Sequence, residues 1–453
     1  MGSLFGSLLG TAGAMRAYER VLSVSQNNVT NASTPGYAKQ VLNTEAMAFQ
    51  PEAGLSGGVV AGRRGNARDR FLEEAVWRGN QAHGRALASD RSLSRLEPLL
   101  PVTKETGIPN ALNKLFQAFS ALSVTPNDTS LRQTVLERAR QFAGEMNQTS
   151  SALAKASSDA GREIGDTVDR INALAERIHQ LNQSSSRDPD GTLDAGVDAQ
   201  MYSTLEELSE LTDFSVLRRP DGTVGVFLGG LTPLVMAESA YPIRADSSGV
   251  ATVIRDDNGA DITAHVTQGM LAAQLDVRNS NIPAYAADLN RLAATVADRV
   301  NEVQLAGLDR SGAPAGQPVF WYSTADDAAV TLSVTALGPG DIAAAGVAGP
   351  GGNANAIAFA ELASSIEIDG YSFTGFYGSI AARLGRERSS AKDAEETESL
   401  LLEQARALRQ EVSGVNMDEE AARIIEFQRA YQAAAQVFRT LDELTETVIN
   451  LRR

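Results

Sequence analysis

The two ends of the chain carry the same apolar repeat. Near the N-terminus the repeat positions are Leu4, Leu8, Thr11, Met15, Tyr18, Leu22, Ser25 and Val29. Near the C-terminus they are Ile424, Phe427, Tyr431, Ala434, Phe438, Leu441, Thr445 and Val448. Alternating steps of four and three residues place each set along one face of a helix, and such a face needs a partner. We expect the terminal helices to pair with each other as a coiled coil or with neighbouring copies, so the function lies in assembly.

Length and charge narrow the possible classes of protein. At 453 residues the chain exceeds the size at which a single core stops growing, so several domains are expected. The formal net charge of -16 argues against a nucleic-acid partner, because phosphate binding needs an extended basic surface. The densest basic cluster is Arg63, Arg64, Arg68 and Arg70, which we interpret as a solvated face or a set of local salt bridges.

Neither a secretory signal nor a membrane segment is expected. The first basic residue is Arg16, and a charged start, an apolar run and a cleavage site do not follow in order. No stretch approaches the roughly 20 apolar residues that a membrane-spanning helix needs, so we predict no membrane insertion. The chain contains no cysteine, which excludes disulfides, thiolate metal sites and a cysteine nucleophile.

The periodicity predicts a mainly α fold with β insertions. Terminal helices form a coiled coil, an elongated helical bundle follows, and one or more small β domains project from it. Helical spacing covers 67–100, 110–122, 130–181 and 201–211, whereas 43–65 reads as extended and irregular, with a possible strand at Val59 and Val60. Between Phe214 and Val266 short β-rich runs are joined by turn signals at Pro220 to Gly222 and at Asn258-Gly259.

We divide the chain into seven segments. They are 1–40, the N-terminal coiled-coil helix with an Asn-rich joint; 41–213, the first part of the bundle; 214–275, a β insertion; 276–308, a return helix; 309–378, a Gly/Pro/Ala-rich section containing β-structure; 379–415, the last part of the bundle; and 416–453, the C-terminal coiled-coil helix. In the fifth segment, Tyr371, Phe373, Phe376 and Tyr377 follow Asp369-Gly370, and we interpret them as a hairpin that packs on the bundle.

Catalytic and metal-binding patterns are not found. His83, His179 and His265 are far apart in the sequence, and no nucleotide-binding, zinc-protease or hydrolase motif occurs. The acidic stretch from Asp188 to Asp198 superficially resembles a calcium loop, but Thr192 and Leu193 occupy positions that need an acid and a glycine. We therefore predict no enzyme activity, no cofactor and no metal.

Two motifs stand at the inner ends of the terminal repeats. In Ser413 to Glu420, Asn416 is placed to cap a helix and Glu419 to complete a capping box. The segment from Asn27 to Gln40 contains Asn28 and Asn31, followed by a Thr34-Pro35-Gly36-Tyr37 bend. From the residues alone, a specialised joint and a plain loop are both open for this segment.

These motifs carry a resemblance to a known family. Asn27-Asn28-Val29-Thr30-Asn31-Ala32-Ser33-Thr34-Pro35-Gly36-Tyr37 resembles the N-terminal signature of flagellar rod, hook and hook-associated proteins, and Val415 to Leu444 resembles their C-terminal signature. Three features make the chain most similar to the hook-associated proteins of the hook–filament junction. They are the form of the cap from Val415 to Glu420, the long helical region up to Leu211, and Thr223 to Gly230 after the helix at Leu205 to Leu211. The usual Asp-Gln-Arg-Asp sequence of that family is replaced by Asp198-Ala199-Gln200-Met201.

The resemblance implies a role and a set of partners. It implies a self-assembling structural adaptor that joins hook to filament, contacts the hook protein and the next junction protein, and forms a homo-oligomer. Export would use the flagellar type III apparatus, after a cytosolic chaperone has held the C-terminal helix, and the final location would be extracellular. The candidate assembly residues are Leu4, Leu8, Met15, Tyr18, Leu22, Asn28, Asn31, Pro35, Gly36, Tyr37, Asn416, Glu419, Ile424, Phe427, Tyr431, Phe438, Leu441 and Val448.

Two alternatives stay open at this point. The chain could be a hook or distal-rod axial protein, which would have a β-dominated middle. It could also be an axial protein whose β insertion carries an enzymatic or adhesive domain, for which no ligand set is found.

Overall fold

The computed structural model describes residues 2–50, 55–101, 106–185, 194–219, 222–236, 239–346, 349 and 351–450. The helices are α1 Gly2–Asn31, α2 Arg70–Leu96, α3 Gly107–Val124, α4 Thr129–Ser185, α5 Ala195–Leu211, α6 Gly269–Asp276, α7 Ile282–Ala306, α8 Ala328–Thr331, α9 Ala354–Glu361, α10 Phe373–Ser413 and α11 Met417–Asn450. The strands are β1 Gln40–Ala46, β2 Phe49–Gln50, β3 Leu55–Ser56, β4 Val59–Asn66, β5 Phe214–Arg218, β6 Val224–Leu228, β7 Thr232–Met236, β8 Ser239–Ala240, β9 Arg244–Asp246, β10 Val253–Arg255, β11 Phe320–Trp321 and β12 Ser333–Val334.

The terminal helices α1 and α11 pack against each other, which confirms the predicted pairing. The Tyr18 and Phe427 rings lie 5.8 Å apart between centroids. Along α11 the repeat positions from Ile424 to Leu441 are partly covered, whereas Val448, near the end of the helix, is 41% exposed. The pair is therefore a two-helix coiled coil whose seam is only partly buried.

A β-hairpin covers a second face of α1. Strands β1 and β4 pair antiparallel, and β2 and β3 extend the hairpin. Gly10 lies directly under it, since a Cβ added at Gly58 would stand 3.5 Å from the Gly10 Cα. Ala17 and Val21, two and three turns further along this face, are buried. The possible strand at Val59 and Val60 is confirmed as the start of β4, but the expectation of irregular structure was wrong for β1. In β1, contact with glycine and alanine positions replaces the apolar alternation by which a strand is recognised.

One long helix connects two hydrophobic cores. The first half of α4 packs with α3, α7, α9 and the start of α10 in a core that includes Phe119 and Phe142. Its second half packs with α5 and α6 in a core that includes Ile171 and Leu205. α6 continues through a π turn at Val277–Asn281 into α7, which returns along the first core. The antiparallel pair α2 and α10 runs alongside both cores and leads back to the terminal helices.

The β segment shares the second core with the helices. Strands β5 to β8 form a four-stranded antiparallel sheet, and β9 pairs with β10. Val226 and Val235 of this sheet belong to the same cluster as Trp77 of α2. The turn expected at Asn258-Gly259 is present, with Gly259 at φ 83°. The sheet thus needs the helices to complete its buried face.

Three of the four aromatic residues near residue 373 lie in a helix rather than in a hairpin strand, and Tyr371 lies in the turn before it. A tight turn does form at Asp369-Gly370, with φ values of 48° and 83°. However, the Ser372 hydroxyl accepts a hydrogen bond from Gly375 N and caps α10, which begins six residues before the expected Ser379. The core assignment holds for Phe373, Phe376 and Tyr377, which are buried, whereas Tyr371 is 49% exposed. A side-chain cap on a run of aromatic residues explains the error.

Parts of two segments discussed in the sequence lie outside the described residues. These are most of the acidic stretch beginning at Asp188, and the first two residues of the turn at Pro220 to Gly222. Over the ranges that the structure describes, no helix is long and apolar enough to cross a membrane.

Candidate functional site

Three chain segments join the terminal helix pair to the bundle, and they meet at one place. Lys39, which leads out of α1, donates its backbone N–H to Ser413 O at the end of α10 over 2.9 Å. Ala67, which links β4 to α2, donates its N–H to Lys39 O over 2.8 Å. The Ser413 hydroxyl closes the ring by donating to Ala67 O over 3.2 Å. We call this meeting point of residues 27–40, 66–69 and 413–420 the junction.

Asn28 fastens the last turns of α1 to the strand that follows. Its side chain is fully buried, donates to Gln40 O over 2.9 Å and accepts from Gln40 N over 2.8 Å. These two hydrogen bonds copy the pairing of a β-ladder, so an amide is needed at this position. Asn31 acts more locally, donating to Asn27 O and accepting from the Thr34 hydroxyl. The hydrogen bonds of these asparagines favour a specialised joint over a plain loop.

The Tyr37 ring closes the bend over the same asparagines. Its hydroxyl lies 2.8 Å from Asn28 Oδ1 and 2.9 Å from Asn27 Oδ1. Burial, with the nearby Glu420 carboxylate, raises the pKa of Tyr37 to about 12. The hydroxyl therefore stays protonated at neutral pH and remains a hydrogen-bond donor to the asparagine oxygens.

Gly36 lets the bend press against α5. It has a φ of 73°, and a Cβ added there would stand 2.2 Å from Ala199 O and 2.8 Å from Ser203 N. Both the backbone conformation and the contact therefore require glycine. Pro35, just before it, is exposed. The bend is thus the surface by which the N-terminal segment contacts the bundle.

The C-terminal segment is fixed by a helix cap and an ion pair. Asn416 Oδ1 accepts from the backbone N–H groups of Asp418 and Glu419 at 3.0 and 3.3 Å, which confirms the predicted cap. Glu419 uses its carboxylate differently from the expected capping box, because it pairs with Lys39 Nζ at 2.9 Å. The same Nζ lies 3.5 Å from the fully buried Glu420. Lys39 thereby connects the two terminal signatures electrostatically.

Arg68 holds the centre of the junction. Its side chain is only 6% exposed and pairs with Glu73 at 2.5 Å and Asp198 at 3.0 Å. It also donates to Gly36 O over 2.7 Å and stacks 3.4 Å above the centre of the Tyr202 ring. One guanidinium therefore binds the bend, the start of α2 and the start of α5 together.

The same network continues to α10. Arg409 Nη1 lies 3.2 Å from Glu73 and 2.7 Å from Glu206, and Arg406 pairs with Glu206 at 3.1 Å. Burial acts to lower the pKa of Arg409, but its hydrogen bonds and the charges of Glu206 and Glu73 outweigh burial and raise it. We call Arg68, Glu73, Asp198, Glu206 and Arg409 the ion network.

The predicted residues fall into two groups. The junction contains Asn28, Asn31, Pro35, Gly36, Tyr37, Asn416 and Glu419, and Val448 lies exposed near the far end of α11. The helix pair carries the other group along its length: Leu4, Leu8, Met15, Tyr18 and Leu22 in α1, and Ile424, Phe427, Tyr431, Phe438 and Leu441 in α11, all of them partly buried.

The ion network was missed in the sequence. Arg68 stood in the densest basic cluster, which we interpreted as solvated or locally paired, and Asp198 stood in the altered family motif. Arg63, Arg64 and Arg70 of that cluster are exposed. What distinguishes Arg68 is its position beside the bend, which only the fold reveals.

Gly36→Ala should open the junction. The added methyl group must push the bend away from α5 and also adopt an unfavourable φ, a strain that alone costs about 1–3 kcal/mol. We expect faster amide hydrogen exchange in residues 34–40 and 199–203 and a lower thermal midpoint. Gly65→Ala is the matched control, since an added Cβ there meets nothing within 4 Å. Equal effects of the two substitutions would contradict the role of the bend.

The polar and charged side chains of the junction hold chain segments together. Among the residues that the structure describes, no three His, Cys, Asp or Glu side chains are grouped so as to hold a metal ion. The charged side chains at the junction are largely neutralised by one another. Their effect is to fix the helix pair to the bundle.

Comparisons with known proteins agree with this architecture. A model described as the Flagellar hook-associated protein FlgK helical domain matches residues 93–320, just over half of the chain, and one described as the Flagellar basal body rod FlgEFG protein C-terminal matches residues 407–451. Flagellar hook-associated protein 1 of Bacillus subtilis (strain 168) is 27% identical over 99% of both chains. The Escherichia coli (strain K12) protein of that name is 21% identical, with 98% of this chain and 100% of the relative covered.

A solved structure shows the same fold. The flagellar hook junction protein FlgK from Burkholderia pseudomallei superposes with a TM-score of 0.67 at 15% identity, covering 75% of this chain and 100% of that chain. The match to the helical domain, the relatives that align over the whole chain and the shared fold all indicate the same family. The chain belongs to the FlgK family of flagellar hook-associated proteins.

Proposed function

We propose that this chain is a structural component of the bacterial flagellum that joins the hook to the filament. The observation that carries the proposal is similarity along the whole chain to proteins named flagellar hook-associated protein 1. The junction supports it, because both terminal signatures are used to fix one helix pair to one bundle. Copies of the chain stack as a homo-oligomer around the flagellar axis.

The helix pair provides the assembly surface. Within the described part of α11 the only buried side chain is Glu420, at the junction end. At the other end of the pair, Phe5 and Leu9 of α1 and Leu444 and Ile449 of α11 are about half exposed or more. Apolar surface of this kind gains stability when neighbouring copies cover it. The candidate residues of the heptad stripes, including Val448, therefore act by ordering the pair within the assembly.

Further partners follow from the family. The hook protein contacts one side of the assembled layer and the next junction protein the other. Before export through the flagellar type III apparatus, a cytosolic chaperone holds the amphipathic α11, and the chain then functions outside the cell. It catalyses no reaction and needs no cofactor.

The terminal helices should be mobile in the isolated monomer. A helix pair with an open seam lacks the burial needed to hold both helices firmly. Heteronuclear NMR should show mobile signals from the N-terminus to about Gln26 and again beyond about Glu420, whereas the junction amides of residues 34–40 stay ordered. A rigid, protected coiled coil in the monomer would contradict this expectation.

A deletion strain tests the function directly. Electron microscopy of cells lacking the chain should show hooks without attached filaments, with flagellin shed into the medium and swimming lost. The full chain supplied in trans should restore all three. Loss of the hook itself would place the protein in the rod or hook instead, and normal filaments would overturn the axial role.

The same experiments address the alternatives. The match of residues 407–451 to rod proteins covers only the C-terminal helix region. A hook or distal-rod protein would have a β-dominated middle, whereas the middle of this chain is mainly helical. An enzymatic or adhesive outer domain would require zinc dependence or glycan binding by the β segment in the full chain, together with normal filaments in the deletion strain.

A further inference from the structure

One face of α1 is left exposed by both the coiled coil and the hairpin. It carries Phe5 and Leu9, which are 58% and 62% exposed, followed by the exposed Arg16 and Arg20. The spacing of four, seven and four residues keeps all of them on one side of the helix. Neither arginine forms a salt bridge within the described residues. Along the chain, the first half of this α1 face is therefore apolar and the second half is basic.

The outer face of α10 shows the reverse order. Asp393 and Glu396 are exposed, and Leu400 and Leu408 follow at 68% and 48% exposure. On the opposite side of the same helix, Leu402 is buried against α2. The single salt bridge of this face in the described chain joins Glu396 to Lys392 at 3.9 Å, and both side chains are largely exposed. Along the chain, the first half of this α10 face is therefore acidic, and the second half carries the exposed leucines.

The two faces match when the helices run antiparallel. From Phe5 to Arg20 is 15 residues, and from Asp393 to Leu408 is also 15, so both faces are about 22 Å long. Setting Phe5 opposite Leu408 brings Leu9 opposite Gln404, between the two leucines. The same register places Arg16 beside Glu396 and Arg20 beside Asp393. The apolar end of each face thus meets the apolar end of the other, with Gln404 between Leu400 and Leu408, and the basic end of α1 meets the acidic end of α10.

We propose that this face of α1 docks on the outer face of α10 in a second copy of the chain. Both faces are exposed within one copy, so they do not cover each other there, and a second copy supplies the missing partner. A contact between two different faces is heterologous, which is the kind that extends into rings or helical stacks. The inference rests on the proposed assembly function and names one of its contacts.

Cross-linking tests the contact in assembled flagella. Because the natural chain has no cysteine, a Leu9→Cys/Gln404→Cys variant carries the only two thiols of the protein. A short bismaleimide, which tolerates a shift of one helical turn, should join separate copies in purified hook–junction preparations. Leu9→Cys/Leu231→Cys is the control, since Leu231 is 69% exposed but lies outside α10. Cross-links in the control alone, or in neither variant, would overturn the proposal.

Charge exchange gives a second, independent test. Arg16→Glu/Arg20→Glu should lower filament attachment about tenfold or more, since like charges then face each other. Adding Asp393→Arg/Glu396→Arg should restore it, whereas Arg140→Glu/Arg177→Glu on the exposed surface of α4 should have no effect. If reversal is harmless or rescue fails while wild-type junctions form normally, this contact is wrong and the proposed function stands. Absence of the wild-type chain from the junction would overturn both.

Discussion

Arg68→Met is expected to destabilise the junction by about 3–5 kcal/mol, the usual cost of removing one partner from a buried ion pair. The Glu73 and Asp198 side chains, 2% and 6% exposed, would lose the guanidinium that neutralises them. Arg409 still contacts Glu73 but does not reach Asp198. Gly36 O also loses its donor, so the bend is released from α5 at the same time.

Hydrogen exchange measures this loss where it occurs. For amides at the start of α5 that exchange by local opening, 3–5 kcal/mol corresponds to an increase from about a hundredfold to a few thousandfold. Arg70→Met is the matched control. Arg70 is 72% exposed and pairs only with Glu74 in the described chain, so its removal should cost no more than about 0.5 kcal/mol.

A triple variant separates charge from packing. Adding Glu73→Gln and Asp198→Asn to Arg68→Met removes the uncompensated carboxylates, and much of the stability should return. If the triple variant is as unstable as Arg68→Met, the arginine acts through its packing on Tyr202 rather than through charge. If Arg68→Met increases amide exchange no more than Arg70→Met does, the ion network does not stabilise the junction.

The terminal helix pair could be predicted because a local pattern specifies it. The steps of four and three residues from Tyr18 to Leu22 and from Phe427 to Tyr431 define a face without reference to the rest of the chain. The cap at Asn416 is equally local, since its side chain bonds to backbone groups two and three residues later. Such features follow from helix geometry alone.

Other features depend on partners that are distant in sequence. Arg68 and Asp198 are 130 residues apart, and nothing near either residue indicates that they meet. The hairpin on α1 was missed for a related reason, because Gly10 and Gly13 mark close backbone contact without giving a periodic apolar signal. Glu419 occupied a correct capping position, yet its carboxylate pairs with Lys39, which only the antiparallel return of the chain brings near.

Tyr431→Asp/Phe438→Asp should abolish assembly while leaving the bundle folded. Both rings lie partly buried in the seam with α1, and burying a large apolar side chain contributes about 1.5–3 kcal/mol. Aspartate removes that gain and places a charge in the seam. We expect loss of junction incorporation and of swimming, measured in the complemented deletion strain, with an unchanged thermal midpoint of the purified monomer. Gln432→Asp/Gln436→Asp, at exposed positions of α11, is the control.

The roles of the seam and of the ion network can be distinguished, because substitutions in the network should act in the monomer and substitutions in the seam should act only in the assembled flagellum. The network lies within a single copy, so Arg68→Met should already lower stability in the monomer. The seam gains its full burial only in the assembly. The double aspartate variant should therefore leave the thermal midpoint of the monomer unchanged and abolish incorporation into the flagellum. Swimming at the wild-type level in that variant would show that the α11 face carrying Tyr431 and Phe438 is no assembly surface. A monomer destabilised as strongly as by Arg68→Met would show that the seam is already closed before assembly.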